Sequence, residues 1–135
     1  ALYPLEVYLA TKKIKGIKPG VYRYLPEEHK LKNIFKGDIS DKLAQAALGQ
    51  TFITEAAMNL VITAFYTRTT RKYGERGIRY VHMEAGHVAQ NVYLQVAGLG
   101  LGAVVIGAFS DKEVKKILNL SEGETPLYIM PVGKI

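Results

Sequence analysis

The sequence predicts an α+β fold with a largely antiparallel sheet flanked by helices. Two observations predict it. The first 37 residues read as a meander of short β-rich segments separated by turn signals. Beyond them, apolar segments of strand length are interrupted by stretches with helical periodicity, so strands and helices are mixed rather than strictly alternating.

Leu5–Thr11 (LEVYLAT) follows Pro4 and is rich in strand formers. Lys18-Pro19-Gly20 marks a turn. Val21–Leu25 and Lys30–Phe35 then read as two strands around a Pro26-Glu27-Glu28 turn, and Gly37-Asp38 closes the meander. Asp41 is a candidate cap for a helix over Lys42–Leu48. Thr51–Ala56 is ambiguous. Met58–Tyr66 (MNLVITAFY) is a continuous apolar run, suited to a strand buried on both faces. Arg68–Glu75 reads as a basic helix broken by Gly77.

Tyr80–Leu99 has the strongest helical pattern, with Val81, Ala85, Val88, Ala89, Val92, Val96 and Leu99 at spacings of three and four. Ala85, Gly86, Ala89, Ala97 and Gly98 are small enough for close packing. The glycines of Leu99-Gly100-Leu101-Gly102 supply a left-handed cap. Ala103–Ala108 is expected as a buried strand. Ser110 and Glu113 form the pattern of a capping box ahead of an amphipathic helix over Asp111–Leu118. Pro126–Val132 is the last strand.

The 135 residues suit one domain spanning 1–135. An apolar content of 48% against 22% charged residues supports a packed core. Cysteine is absent, which excludes disulfides, thiolate metal sites and cysteine nucleophiles and is compatible with a cytoplasmic setting. There is no apolar run of membrane-spanning length and no signal-peptide pattern, so no membrane association is expected. The net charge of +6 is scattered without a block of one sign. Tyrosines among basic residues in Arg68–Tyr80 are a pattern for stacking on nucleic-acid bases, but a solvated helix explains the stretch more simply, and no nucleic-acid partner is expected.

Gly98–Gly107 (GLGLGAVVIG) does not fit a dinucleotide loop. That fingerprint needs strand, glycines, then helix, and here the glycines follow a helix and precede a strand. Gly107 is instead a candidate for close backbone approach to a flat ligand. His82 and His87 point to different helix faces, so no metal site is expected. Glu84 and His87, three apart, read as a structural hydrogen-bonded pair. No Gly-x-Ser-x-Gly elbow is present.

Three stretches together carry a resemblance: ALYPLEVYL (1–9), KYGERGIRYVHMEAGHVAQNVYLQVAGLGLG (72–102), and AVVIGAFSD with PLYIMPVGK (103–111 and 126–134). The combination resembles the SagB-type dehydrogenase branch of the nitroreductase superfamily and covers nearly the whole chain. The resemblance implies the nitroreductase-like fold and FMN at a homodimer interface. Ala1, Leu2 and Tyr3 match the second half of a PSAGALYP-like stretch that passes beside the flavin. Ile106, Gly107 and Ala108 match the segment whose backbone amides lie near flavin N5 and O4. Lys72 and Tyr73 match the Lys-Tyr pair of the azoline-oxidising branch, as candidate catalytic residues. NAD(P)H is the implied candidate electron donor, and the implied substrate is a small molecule or a modified, azoline-bearing peptide. Family members carry an Arg-rich phosphate-binding region that would precede Ala1, so a further N-terminal fragment of the same domain is an expected partner. Lys134 is a candidate for offsetting its absence. The alternative is a flavin-free binding or structural module on the same fold.

Overall fold

A computed structural model describes all residues from Ala1 to Ile135. Strands β1 (Leu5–Thr11), β2 (Gly20–Leu25), β3 (Lys30–Lys36), β4 (Met58–Phe65), β5 (Leu101–Ala103) and β6 (Glu124–Lys134) form one sheet, in the order β3-β2-β1-β4-β6-β5. Every pairing is antiparallel. The helices are α1 (Ser40–Ala46), α2 (Phe52–Glu55), α3 (Thr67–Tyr73), α4 (Arg76–Gly98) and α5 (Asp111–Leu118).

The alternation of side chains along each strand sends them to two separate cores. On one face, Tyr8, Val21, Val61 and Ile129 pack against Leu43 of α1, Ile53 of α2, and Val114 and Leu118 of α5. On the other face, Ile62 and Met130 meet Ala85 and Ala89 of α4. Those two alanines have little side chain to hold the helix off, so α4 lies close to the sheet. β4 sits in the middle and is buried through Val61–Ala64, as a run apolar on both faces requires. β3 is the exposed edge, and Lys30, Lys32 and Lys36 along it discourage pairing with another chain.

Several local expectations change. The residue capping α1 is Ile39, not Asp41; Asp38 Oδ1 accepts from the Ser40 N–H at 2.8 Å, and Asp41 falls in the first turn. The ambiguous stretch at 51–56 is helical as α2. α3 ends at Gly74 with φ +59, and Gly77 lies inside α4 rather than breaking a helix. α4 therefore starts four residues before Tyr80. A Cβ at Gly77 would come within 3.1 Å of the backbone of Thr69 and Thr70, so the glycine there serves helix contact.

Ala103–Ala108 is not a continuous strand. The ladder with β6 stops at Ala103 and is resumed only by Ile106 opposite Ile129. Between them the Val105 N–H turns away to the Tyr93 hydroxyl at 2.6 Å. Gly100, at φ +67, supplies the left-handed exit from α4. Ser110 caps α5 by accepting from the Glu113 N–H at 3.3 Å, but its own N–H goes to Ala46, so the return half of the capping box is not made.

Candidate functional site

The end of the sheet where β1 begins and β4 ends gathers most of the residues singled out in the sequence. Pro4 accepts from the Phe65 N–H at 2.8 Å and ties the N-terminal stretch to that end. Tyr3 just before it is left-handed, at φ 46, with its ring 73% exposed. Its carbonyl accepts from Arg68 Nη1 at 3.0 Å, and the same guanidinium nitrogen lies 2.8 Å from Glu6. Arg68 also covers the Phe65 ring at 4.4 Å. This one arginine at the start of α3 therefore braces the Ala1–Tyr3 segment against two strands. Ala1 and Leu2 are exposed beside it. Tyr3 and Arg68 line a cleft of about 660 Å³ together with Arg23, Tyr24, Glu84 and Val88.

Ile106, Gly107 and Ala108 lie on the far side of β6, with Ile106 opposite Ile129 in the middle of that strand. Ile106 is buried and exchanges both backbone bonds with Ile129, at 2.8 and 3.0 Å. Gly107 and Ala108 are exposed, and neither N–H has a partner within the chain. Two consecutive free donors on a short, anchored segment are suited to the acceptor atoms along the edge of a flat ring. A Cβ at Gly107 would meet only the Tyr128 ring, at 3.7 Å. β4 and β6 intervene between Tyr3 and this segment, which at strand spacing separates them by roughly 14 Å. Within one copy of the chain the two predicted flavin-facing segments lie on opposite sides of the β4–β6 pair.

Lys72 and Tyr73 close α3, both exposed, with Lys72 Nζ 5.4 Å over the Tyr73 ring. Tyr73 meets Tyr80 of α4 edge to face at 5.2 Å. Neither Lys72 nor Tyr73 lines the cleft beside Tyr3. Glu84 and His87 make no hydrogen bond with each other; Glu84 lines that cleft instead. His82 finds a different partner, Tyr66, with Nε2 2.6 Å from the phenol oxygen. Burial, and to a lesser degree the charge of Asp111, raise the Tyr66 pKa, so the phenol is the donor in this pair when the imidazole is neutral.

Sequence reasoning also missed a buried polar cluster under this end of the sheet. Glu124, fully enclosed, accepts from Tyr8 at 2.8 Å and from Thr63 at 2.5 Å. The one signal for it was an acid next to the apolar run of the last strand. No three His, Cys, Asp or Glu side chains gather in one place.

The nitroreductase family model matches residues 1–134. The chain belongs to the nitroreductase family. A Methanocaldococcus jannaschii protein provisionally designated a nitroreductase is 52% identical over 134 residues, covering 99% of this chain and 67% of the relative. The microcin B17-processing protein McbC of Escherichia coli is 28% identical, over 100% of this chain and 52% of its own length. Among solved structures, the Escherichia coli microcin synthetase McbBCD complex with truncated pro-MccB17 bound superposes with a TM-score of 0.84 at 27% identity, over 99% of this chain and 53% of that one. This nitroreductase-family chain thus spans two thirds of the archaeal relative and about half of the microcin-processing protein. The fold is nitroreductase-like, and the resemblance to the azoline-forming relatives holds.

Proposed function

We propose that this nitroreductase-family domain binds FMN and transfers hydride between flavin N5 and a bound substrate. The observation that carries the reading is the pair of exposed, unpartnered N–H groups at Gly107 and Ala108, on a segment anchored by Ile106. They are the groups that the family resemblance assigns to the flavin's polar edge. When bound, the flavin supplies the hydride chemistry, while the protein supplies position and electrostatics. Ile106, Gly107 and Ala108 orient the ring, and Ala1, Leu2 and Tyr3 flank it. The roughly 14 Å between these segments in one copy supports a site completed by a second copy. Met83 and Leu94, both exposed and about three turns apart on one face of α4, support the same homodimer, since exposed apolar side chains on a helix face gain from burial.

Lys72 and Tyr73 are the candidate proton-handling pair. An ammonium polarises or protonates a substrate heteroatom, and a phenol gives or takes a proton at the site of hydride transfer. The likeness to McbC, a microcin-processing protein, favours an azoline-bearing peptide as substrate, with a small nitroaromatic or quinone reduced at the expense of NAD(P)H as the other version. A cytoplasmic location accompanies both. A flavin-free binding or structural module on the same fold is the competing reading.

The deciding experiment is an absorbance spectrum of the purified protein before and after addition of FMN. Flavin bands that stay with the protein through gel filtration are expected. Protein that remains colourless in the presence of FMN, while eluting as a folded dimer, transfers the case to the binding module.

A further inference from the structure

A cleft of about 840 Å³ lies where the end of β3 meets α1 and α5. Its apolar lining includes Phe35, Leu48 and Ile117. Leu48 follows α1 with a left-handed backbone, at φ 61, and is 76% exposed. Lys36, Lys42 and Lys116 line the cleft from the strand and from the two helices. None of the three is ion-paired, since the chain's salt bridges are Lys30–Glu28 and Arg68–Glu6. The acids of the cleft are Asp38 and Glu113, and Asp38 already accepts from the Ser40 N–H. Lys32 continues the cationic line along β3. It stands opposite Arg23, which stands opposite Tyr8, so its side chain leaves the sheet on the α1 and α5 side. The run from Lys32 to Lys36 covers roughly 13 Å of strand.

The cleft is continuous with the segment assigned to the flavin edge. Ser110, the residue next but one after Ala108, is part of its wall. Hydrogen bonds fix that short connection to α1 and the loop after it. Gln50 Nε2 donates to the Ala108 carbonyl at 3.3 Å, and the Ser110 N–H donates to the Ala46 carbonyl at 2.8 Å. A substrate with its reacting ring at Gly107 and Ala108 therefore has the cleft beside it, ready for whatever the ring is attached to.

A lysine ammonium is a point charge with three donors on a flexible stem. A row of them suits carboxylates spread along a chain rather than one planar group of fixed shape. The apolar surface between the charges adds non-directional affinity for aliphatic side chains. We infer that this cleft holds a segment of the peptide substrate in which acidic and aliphatic residues alternate, while the azoline ring attached to that segment reaches the Gly107–Ala108 edge. The inference deepens the proposed function and rests on its choice of a peptide as substrate. The lysines of β3 act in the same sense, since they oppose a neutral or basic strand and admit an acidic one.

The chain has no tryptophan, so a probe peptide bearing one reports its own binding by fluorescence. Two short probes are compared on the full chain, one alternating Glu and Leu and one with every Glu replaced by Gln. The acidic probe should bind about tenfold more tightly, and raising the salt should narrow that margin. Lys36→Gln/Lys42→Gln/Lys116→Gln should abolish it. Lys13→Gln/Lys15→Gln/Arg79→Gln removes the same charge from exposed positions outside the cleft and should preserve it. Leu48→Ala should weaken both probes alike. Equal affinity of the native chain for the two probes overturns the inference. So does an equal loss of margin in the two triple variants, which would reduce the preference to net charge. Each probe is then given a terminal thiazoline and mixed anaerobically with the FMN-loaded chain, and the loss of the oxidised flavin bands is followed. The acidic form should half-saturate at about tenfold lower concentration with the same limiting rate, and the cleft variant should erase the difference. Bleaching with equal half-saturation for both forms overturns the inference and leaves the flavin reading standing. Probe binding that depends on the cleft lysines, in a chain that takes up no FMN, counts against the flavin reading and leaves the cleft as a peptide site.

Discussion

The phenol of Tyr8 donates to the carboxylate of Glu124 at 2.8 Å, joining β1 to β6 across the intervening β4 strand, whose Thr63 binds the same oxygen. A fully enclosed carboxylate is tolerable only when its lone pairs are used. Tyr8→Phe keeps the ring and removes one of its two donors. We expect a loss of about 1–3 kcal/mol in urea denaturation, the cost of leaving a buried acceptor under-satisfied. Thr63→Val should add to it by less than its own single-site cost, because both donors serve one oxygen. A neutral Tyr8→Phe result would show that solvent reaches Glu124.

Tyr8 and Tyr66 give the protein a defined alkaline limit. Burial, followed by the Glu124 hydrogen bond and charge, raises the Tyr8 pKa well above the ordinary phenol range, and burial with Asp111 raises that of Tyr66. Both phenols stay protonated in the folded chain at pH values where the unfolded chain ionises. Their contribution is complete below the unfolded value near 10 and is lost as pH rises toward the folded values. Thermal melts should therefore be flat with respect to these groups up to about pH 9 and fall above it. Tyr8→Phe should flatten that fall. An identical alkaline slope in the variant would remove Tyr8 as its cause.

Gly77 and Gly86 lie on the same helix and should respond in opposite directions to alanine. A Cβ at Gly77 meets the α3 backbone at 3.1 Å, whereas one at Gly86 meets nothing within 4 Å. Gly77→Ala has to push α3 and α4 apart and should cost about 1–3 kcal/mol. Gly86→Ala gains helix propensity and should stabilise by about 0.5–1 kcal/mol. Melting temperatures of the two variants check both signs at once.

Gly107 separates fold from cofactor. Alanine there makes only ordinary contact with the Tyr128 ring, so stability should stay within about 0.5 kcal/mol of the native chain. Under the proposed function, FMN uptake should nevertheless weaken, because the ring edge can no longer approach the Gly107 and Ala108 N–H groups as closely. Fluorescence titration with FMN reads this directly. Unweakened uptake with unchanged stability would show that close approach at this glycine is not required.

Lys72 and Tyr73 separate cofactor binding from chemistry. Lys72→Ala and Tyr73→Phe should each lower turnover by roughly 10²-fold or more while FMN occupancy, read from the visible spectrum, stays constant. Turnover that survives both substitutions would return the pair to the status of exposed helix residues.

Much of this was legible in the chain itself. The antiparallel α+β class, the limits of β1, the buried run of β4 and the long apolar helix all follow from side-chain periodicity, a local property that survives in the sequence. The family resemblance rested on short residue patterns that are likewise local. Element ends were less legible. Gly77 has the composition of a breaker, but its role is decided by the α3 backbone lying against it. The edge segment at 103–108 has the composition of a strand, but a phenol from α4 takes the Val105 N–H away from the ladder.

The sequence by itself determined which residues are apolar, where turns are possible, and which segments carry the family pattern. Only the tertiary structure decided which side chains meet. Tyr8 and Glu124 are 116 positions apart, and Tyr3 and Arg68 are 65 apart. No spacing rule reaches over such intervals, because the pairings are set by the order in which strands enter the sheet. The same order keeps Ala1–Tyr3 and Ile106–Ala108 two strands apart. That separation was not legible in the residues, because it is a property of the β1-β4-β6 arrangement.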